Sequence, residues 1–90
     1  MAQAIVNPEQ VRRFAAELRT CADDVQNRMS ALQARFDALG ETWQDQEHTK
    51  FAEEFDQTMK VLRHFLEASH RHAPYLLRKA QRIEEYLDQR

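Results

Sequence analysis

The 90-residue sequence holds one glycine, one cysteine and two prolines, and no apolar run approaches the length needed to span a bilayer. Each scarcity excludes something. One glycine is too few for a hairpin-rich sheet or a phosphate-cradling loop, which need backbone freedom at several positions. One cysteine excludes an internal disulfide framework and any zinc site made of several thiolates. An excess of one charge is missing too. Thirteen Lys and Arg face fifteen Asp and Glu, so a net charge of −2 provides no global field for a nucleic acid. Met1 to Val6 carry neither a basic region nor a useful apolar run, so no secretory signal peptide is expected. At 42% apolar and 31% charged, the chain is too apolar for a disordered tail and too polar for a membrane span. A single small all-α domain over residues 1–90 remains, of a size that often needs a partner to bury enough surface.

What is present is helical punctuation and helical period. Asn7, Pro8 and Gln10 form a start signal of N-cap, first-turn proline and capping-box residue. Val11, Phe14, Leu18, Cys21, Val25, Met29, Leu32, Phe36 and Leu39 then step by threes and fours. Gly40 follows where a left-handed C′ glycine ends a helix, which predicts helix 1 at about 8–39. Thr42 and Asp45, three apart around Trp43, predict a capping box opening helix 2 at about 43. Phe51 and Phe55 continue the face of Trp43. Beyond them Leu62, Leu66, Ser69, Ala73, Leu76, Ala80, Ile83 and Leu87 alternate steps of four and three, with small residues that permit close helix approach. Pro74 interrupts this seam without shifting its phase, so one helix to about 88, kinked near Pro74, is expected rather than a break.

The expected fold is an antiparallel helical hairpin that dimerises into a four-helix bundle. Helix 2 would outrun helix 1 by roughly fourteen residues at 1.5 Å each. Counted from the turn, the overhang would begin near Pro74 and expose Leu76, Ile83 and Leu87 unless a second chain covers them. Residues 40–73 carry a balance of −3 and residues 74–90 a balance of +1, a mild bias toward antiparallel pairing. The expected dimer or bundle interface comprises Val11, Phe14, Leu18, Val25, Met29, Leu32, Phe36, Phe51, Phe55, Leu62, Leu66, Leu76, Ile83 and Leu87.

Catalytic and metal chemistry find little footing. His48, His64, His70 and His72 contain no i, i+4 pair of the kind that holds zinc on a helix. Glu53, Glu54, Asp56 and Glu67 lack the Glu-x-x-His pairs of a di-iron bundle; Asp45-x-x-His48 reads as a surface contact beside the turn. Cys21 reads as a small apolar seam residue. Arg78, Lys79, Arg82 and Arg90 with Tyr75 and Tyr86 look somewhat like a nucleic-acid or membrane-surface arm, but Glu84, Glu85 and Asp88 dilute it to +1, and interhelical salt bridges flanking the seam are expected instead. No cofactor, metal or catalytic residue is expected, and no nucleic acid.

Two long amphipathic helices joined at Leu39-Gly40-Glu41-Thr42-Trp43-Gln44-Asp45, with an aromatic, Phe51, eight residues after the tryptophan, resemble the WXG proteins, the ESAT-like substrates of type VII secretion. The turn motif is Gly40, Thr42, Trp43 and Asp45, with W-x-D in place of W-x-G. The resemblance implies a non-enzymatic binding protein, exported by a signal-peptide-independent route or cytoplasmic before export. Its partner would be itself, a paralogous hairpin, or the helical N-terminal region of a larger secreted protein. The family's export signal, a tyrosine followed four residues later by Asp or Glu, is not matched, since Tyr86 meets Arg90 and Tyr75 meets Lys79. That implies export with a partner, or service as an escort. A cytoplasmic helical adaptor or structural coiled coil is the alternative.

Overall fold

The computed structural model describes residues 6–88, which form two helices, α1 (Pro8–Leu39) and α2 (Gln46–Asp88). Residues 1–5 and 89–90, part of the domain expected over 1–90, lie outside the described residues, as do most of the segment tested for a signal peptide and Arg90. The pair forms a flat rod of 68 × 25 × 14 Å. Its long axis is close to the reach of α2 alone, whose 43 residues span about 65 Å at 1.5 Å each.

α1 starts as its sequence dictates. Asn7 is extended at φ −93°, and its side-chain oxygen accepts from the Glu9 amide at 2.9 Å and the Gln10 amide at 3.3 Å. Two of the helix's orphan donors are satisfied there, with Pro8 occupying the position that needs none.

The seam between the helices has heptad spacing on both sides. Ala15, Ala22 and Met29 are buried on α1; Met59, Leu66, Ala73 and Ala80 are buried on α2, with Ser69 beside them. Val11, Leu18, Val25 and Phe36 flank the first set, and Phe55, Leu62, Leu76 and Ile83 the second, all half-buried. On α1 the axis of contact therefore passes through Ala15 and Ala22, one residue along from the expected Phe14 and Cys21. Alanines facing alanines let the two backbones approach closely. A phenyl ring cannot fit that gap, so Phe14 rotates onto the flank.

α2 runs unbroken through Pro74. The ring removes one amide donor, yet the seam on both sides keeps its phase: Ser69, Ala73 and Ala80 are all buried. The Ser69 hydroxyl donates back to the Phe65 carbonyl at 2.9 Å, which satisfies its buried oxygen within the helix.

Three expectations need correction. α2 begins at Gln46 rather than 43, because Asp45, not Thr42, caps it: the Asp45 carboxylate accepts from the His48 amide at 2.9 Å. The Thr42 hydroxyl instead donates to the Leu39 carbonyl at 3.3 Å, closing α1. Gly40 sits at φ −62°, ψ −17°, a right-handed conformation, and no described residue has positive φ. Finally, the overhang does not begin at Pro74. Arg12 of α1 grips Glu84 of α2 through two hydrogen bonds of 2.8 and 2.7 Å, Ala80 is fully buried, and Leu76 and Ile83 are half-buried. Only the last turn, with Leu87 at 46% exposure, projects beyond cover at that end. Much of the surplus length of α2 lies instead at the turn, where a loop of residues 40–45 climbs before α2 starts.

Candidate functional site: an aromatic corner and an uncovered apolar face

Phe36 on the last turns of α1 is the centre of the corner. Its ring stacks on Phe55 at 4.8 Å and 6°, on Phe51 at 5.6 Å, and lies 5.2 Å from the His48 ring. Trp43 closes the end of the hairpin, edge-to-face with His48 at 5.1 Å and 6.1 Å from Phe51. Such offset and tilted rings add stabilisation beyond their buried area. His48, Phe51 and Phe55 stand on one face of α2 because they step by three and four.

Each residue of the turn motif has a defined task here. Asp45 caps α2, and Trp43 is half-buried against the rings. Two amides, of Thr42 and Trp43, donate to the Leu39 carbonyl, and the Gln44 side chain donates to the Gly40 carbonyl at 3.2 Å. Gly40 matters for its size. A Cβ there would stand 3.3 Å from the Asp37 carbonyl and 3.7 Å from His48 Nε2. The W-x-D spelling follows from this geometry, since Asp45 supplies a helix cap at a position that needs no left-handed backbone.

Sequence reasoning treated His48 as a surface residue. Its ring belongs to the corner, with Nε2 buried and without a hydrogen-bond partner. Its three-residue step to Phe51 was the available signal.

The fourteen expected interface residues divide into three groups. Met29 and Leu66 are buried within the hairpin itself. Val11, Leu18, Val25, Phe36, Phe55, Leu62, Leu76 and Ile83 are half-buried along its seam. Phe14, Leu32, Phe51 and Leu87 are exposed at 57%, 52%, 44% and 46%.

The exposed members are not scattered. Phe14, Cys21, Leu32 and Leu39 step by 7, 11 and 7, which keeps them within about 20° of one line along α1. Along α2 the exposed Phe51 and Phe65 are continued by the half-buried Leu76 and Ile83, stepping by 14, 11 and 7 in the same way. Phe14 and Leu76 line one shallow groove, which puts both lines on the same broad side of the rod. The groove on α1's other flank, between Met29 and Met59, is rimmed by Gln26, Ser30, Gln33, Asp37 and Arg63. Its floor is apolar, with Ala34 and Leu66 beside the two methionines.

The hairpin is also thin. Among the described residues no large side chain is fully buried, and the densest cluster is only Ala22, Met29, Met59 and Leu66. The remaining chemistry is sparse. Cys21 is exposed rather than a seam residue, no group of three metal-binding side chains exists among the described residues, and no helix is long and apolar enough to cross a membrane. The hydrogen bond to Glu84, then that carboxylate's charge, raises the Arg12 guanidinium pKa.

A family model described as WXG100, proteins of 100 residues with WXG, matches residues 3–86. Among solved structures, the fold is similar to that of the secreted protein EsxB from Bacillus anthracis str. Sterne. The wild-type form matches at 22% identity and a TM-score of 0.79, covering 94% of this chain and 99% of that one. A selenomethionine-labelled form matches at 22% identity and a TM-score of 0.77, over 96% and 98% of the two chains. No curated protein matches the sequence.

Proposed function

The chain belongs to the WXG100 family, and from that premise we propose that it is a non-enzymatic binding protein working as a pair of hairpins, a substrate or escort of a type VII-like secretion system. The observation that carries this reading is the apolar line on each helix, gathered on one side of a rod only 14 Å thick. A second hairpin laid antiparallel on that side would make a four-helix bundle and supply the core that one hairpin lacks. The partner is another copy, a paralogous hairpin, or a helical N-terminal region of a larger secreted protein.

Secretion is proposed by analogy with EsxB, which is described as secreted. The unmatched tyrosine signal favours export in company. In a host with the secretion apparatus, a tagged chain expressed alone should stay with the cells. Co-expressed with a paralogous helical hairpin of the same host, it should reach the medium, and deleting the apparatus ATPase should retain it. Retention with that hairpin present, or release without the apparatus, refutes the export reading and leaves a cytoplasmic adaptor.

A further inference from the structure

The cations in the second half of α2 are clustered and form no ion pair among the described residues. Residues 63–82 contain five Lys or Arg and one acidic residue, Glu67, whereas α1 as a whole is neutral. Elsewhere Arg12, Arg13, Arg28 and Lys60 form ion pairs, while Arg19, Arg35 and Lys50 stand singly along the helices. Among the described residues, Arg63, Arg71, Arg78, Lys79 and Arg82 form none, although the next carboxylate, Glu84, is held by Arg12.

Their placement is ordered as well. Arg71, Arg78 and Arg82 each lie two residues from a buried seam alanine, Ala73 or Ala80, which is about 200° round the helix. They therefore face directly away from α1. With His64, Ala68 and Tyr75 they step by 4, 3, 4, 3 and 4, the spacing that keeps a stripe facing one neighbouring helix along its length. Tyr75 is 50% exposed in the middle of the stripe, Ala68 gives a shallow place beside it, and the whole extends about 27 Å. This back of α2 is separate from the apolar side assigned above to hairpin pairing, so both could be occupied at once.

We propose that the outer face of α2, residues 64–82, docks an acidic helix of another polypeptide. Three features select that partner. Heptad spacing suits a rod of matching pitch, whereas a flat surface imposes no such period. Arginine predominates over lysine, which suits bidentate contact with side-chain carboxylates. The stripe has too little apolar surface to insert into lipid. The proposal does not depend on export or on hairpin pairing.

The probe is a synthetic acidic helix of about three heptads, with glutamates flanking an alanine and leucine line, labelled for fluorescence anisotropy. The whole chain should bind it at low salt and more weakly as salt rises, and should ignore a lysine version of the same peptide. Changing Arg71, Arg78 and Arg82 together to Gln should weaken binding about tenfold, and changing them to Glu should abolish it. Far-UV circular dichroism and oligomeric mass should be unchanged in both, since none of the three makes a contact in the fold. Tyr75→Ser should weaken binding several-fold without altering the salt slope. Equal binding by the Gln variant, or no binding of the acidic peptide by the wild-type chain, overturns the proposal. Tighter binding to phosphatidylglycerol vesicles or to duplex DNA than to the peptide overturns it too.

Discussion

Replacing Phe14 and Leu32 together by serine should dissolve a pair of hairpins while leaving each hairpin folded. The two side chains are 57% and 52% exposed in the single chain, so roughly half of each remains to be covered by a neighbour. Full burial of such a residue stabilises by about 1.5–3 kcal/mol, which makes the remaining half worth about 0.8–1.5 kcal/mol. In a symmetric pair each substitution counts twice, and the double variant should lose about 3–6 kcal/mol, or about two to four orders of magnitude in dissociation constant. Within one hairpin the same changes forfeit the half of each side chain already covered, about 1.6–3 kcal/mol in all, plus a small helix-propensity difference. Sedimentation equilibrium reads the first quantity, and thermal unfolding at low concentration the second. A wild-type chain that is monomeric, with a melting temperature independent of concentration, refutes self-pairing. A double variant that remains paired refutes the assignment of this side as the contact.

Other perturbations test the frame. Ala73→Leu inserts bulk where exposure is 0% and should destabilise the hairpin by about 1–3 kcal/mol, seen as a lower midpoint in urea. Asp45→Ala removes the acceptor of the His48 amide and should cost about 1 kcal/mol, with faster hydrogen exchange in the first turn of α2. Gly40→Ala should change stability by less than about 1 kcal/mol in calorimetry, because its backbone is right-handed and only the 3.3 Å approach to Asp37 must relax. Glu84→Gln should speed exchange at the first turns of α1, and the difference should shrink with added salt, since both partners of that ion pair are over 40% exposed.

Much of this architecture was written in residue spacing. The start of α1 followed from Asn7 and Pro8, its end fell at Leu39 without the left-handed glycine expected there, and the persistence of α2 across Pro74 followed from an apolar phase that a turn would have had no cause to keep. Spacing was less informative about which apolar residue faces the helix axis. Phe14 outranks Ala15 in hydrophobicity, but close approach selects small volume over greasiness, and that selection exists only once two helices meet. The start of α2 was misplaced because Thr42 and Asp45 are both competent caps; the Thr42 hydroxyl turns back to the Leu39 carbonyl, and Asp45 is left to cap α2. Placing the surplus of α2 at the wrong end came from counting straight back from the turn, which would set Arg12 opposite His70, whereas it meets Glu84. His48 was missed for a related reason: a histidine near a turn is ordinarily solvated, and only the arrival of Phe36 from the other helix makes it part of a stack.

The hairpin is graded from end to end, with stacked rings near the turn and alanines where Arg12 meets Glu84. Rings joined across a dozen residues of chain close a short loop, whereas the Arg12–Glu84 clasp must close one of 72. Assembly therefore zips from the corner outward, and unravelling runs the other way. A pull on the carboxyl-terminal end of α2 would meet the slenderest side chains first and the aromatic knot last.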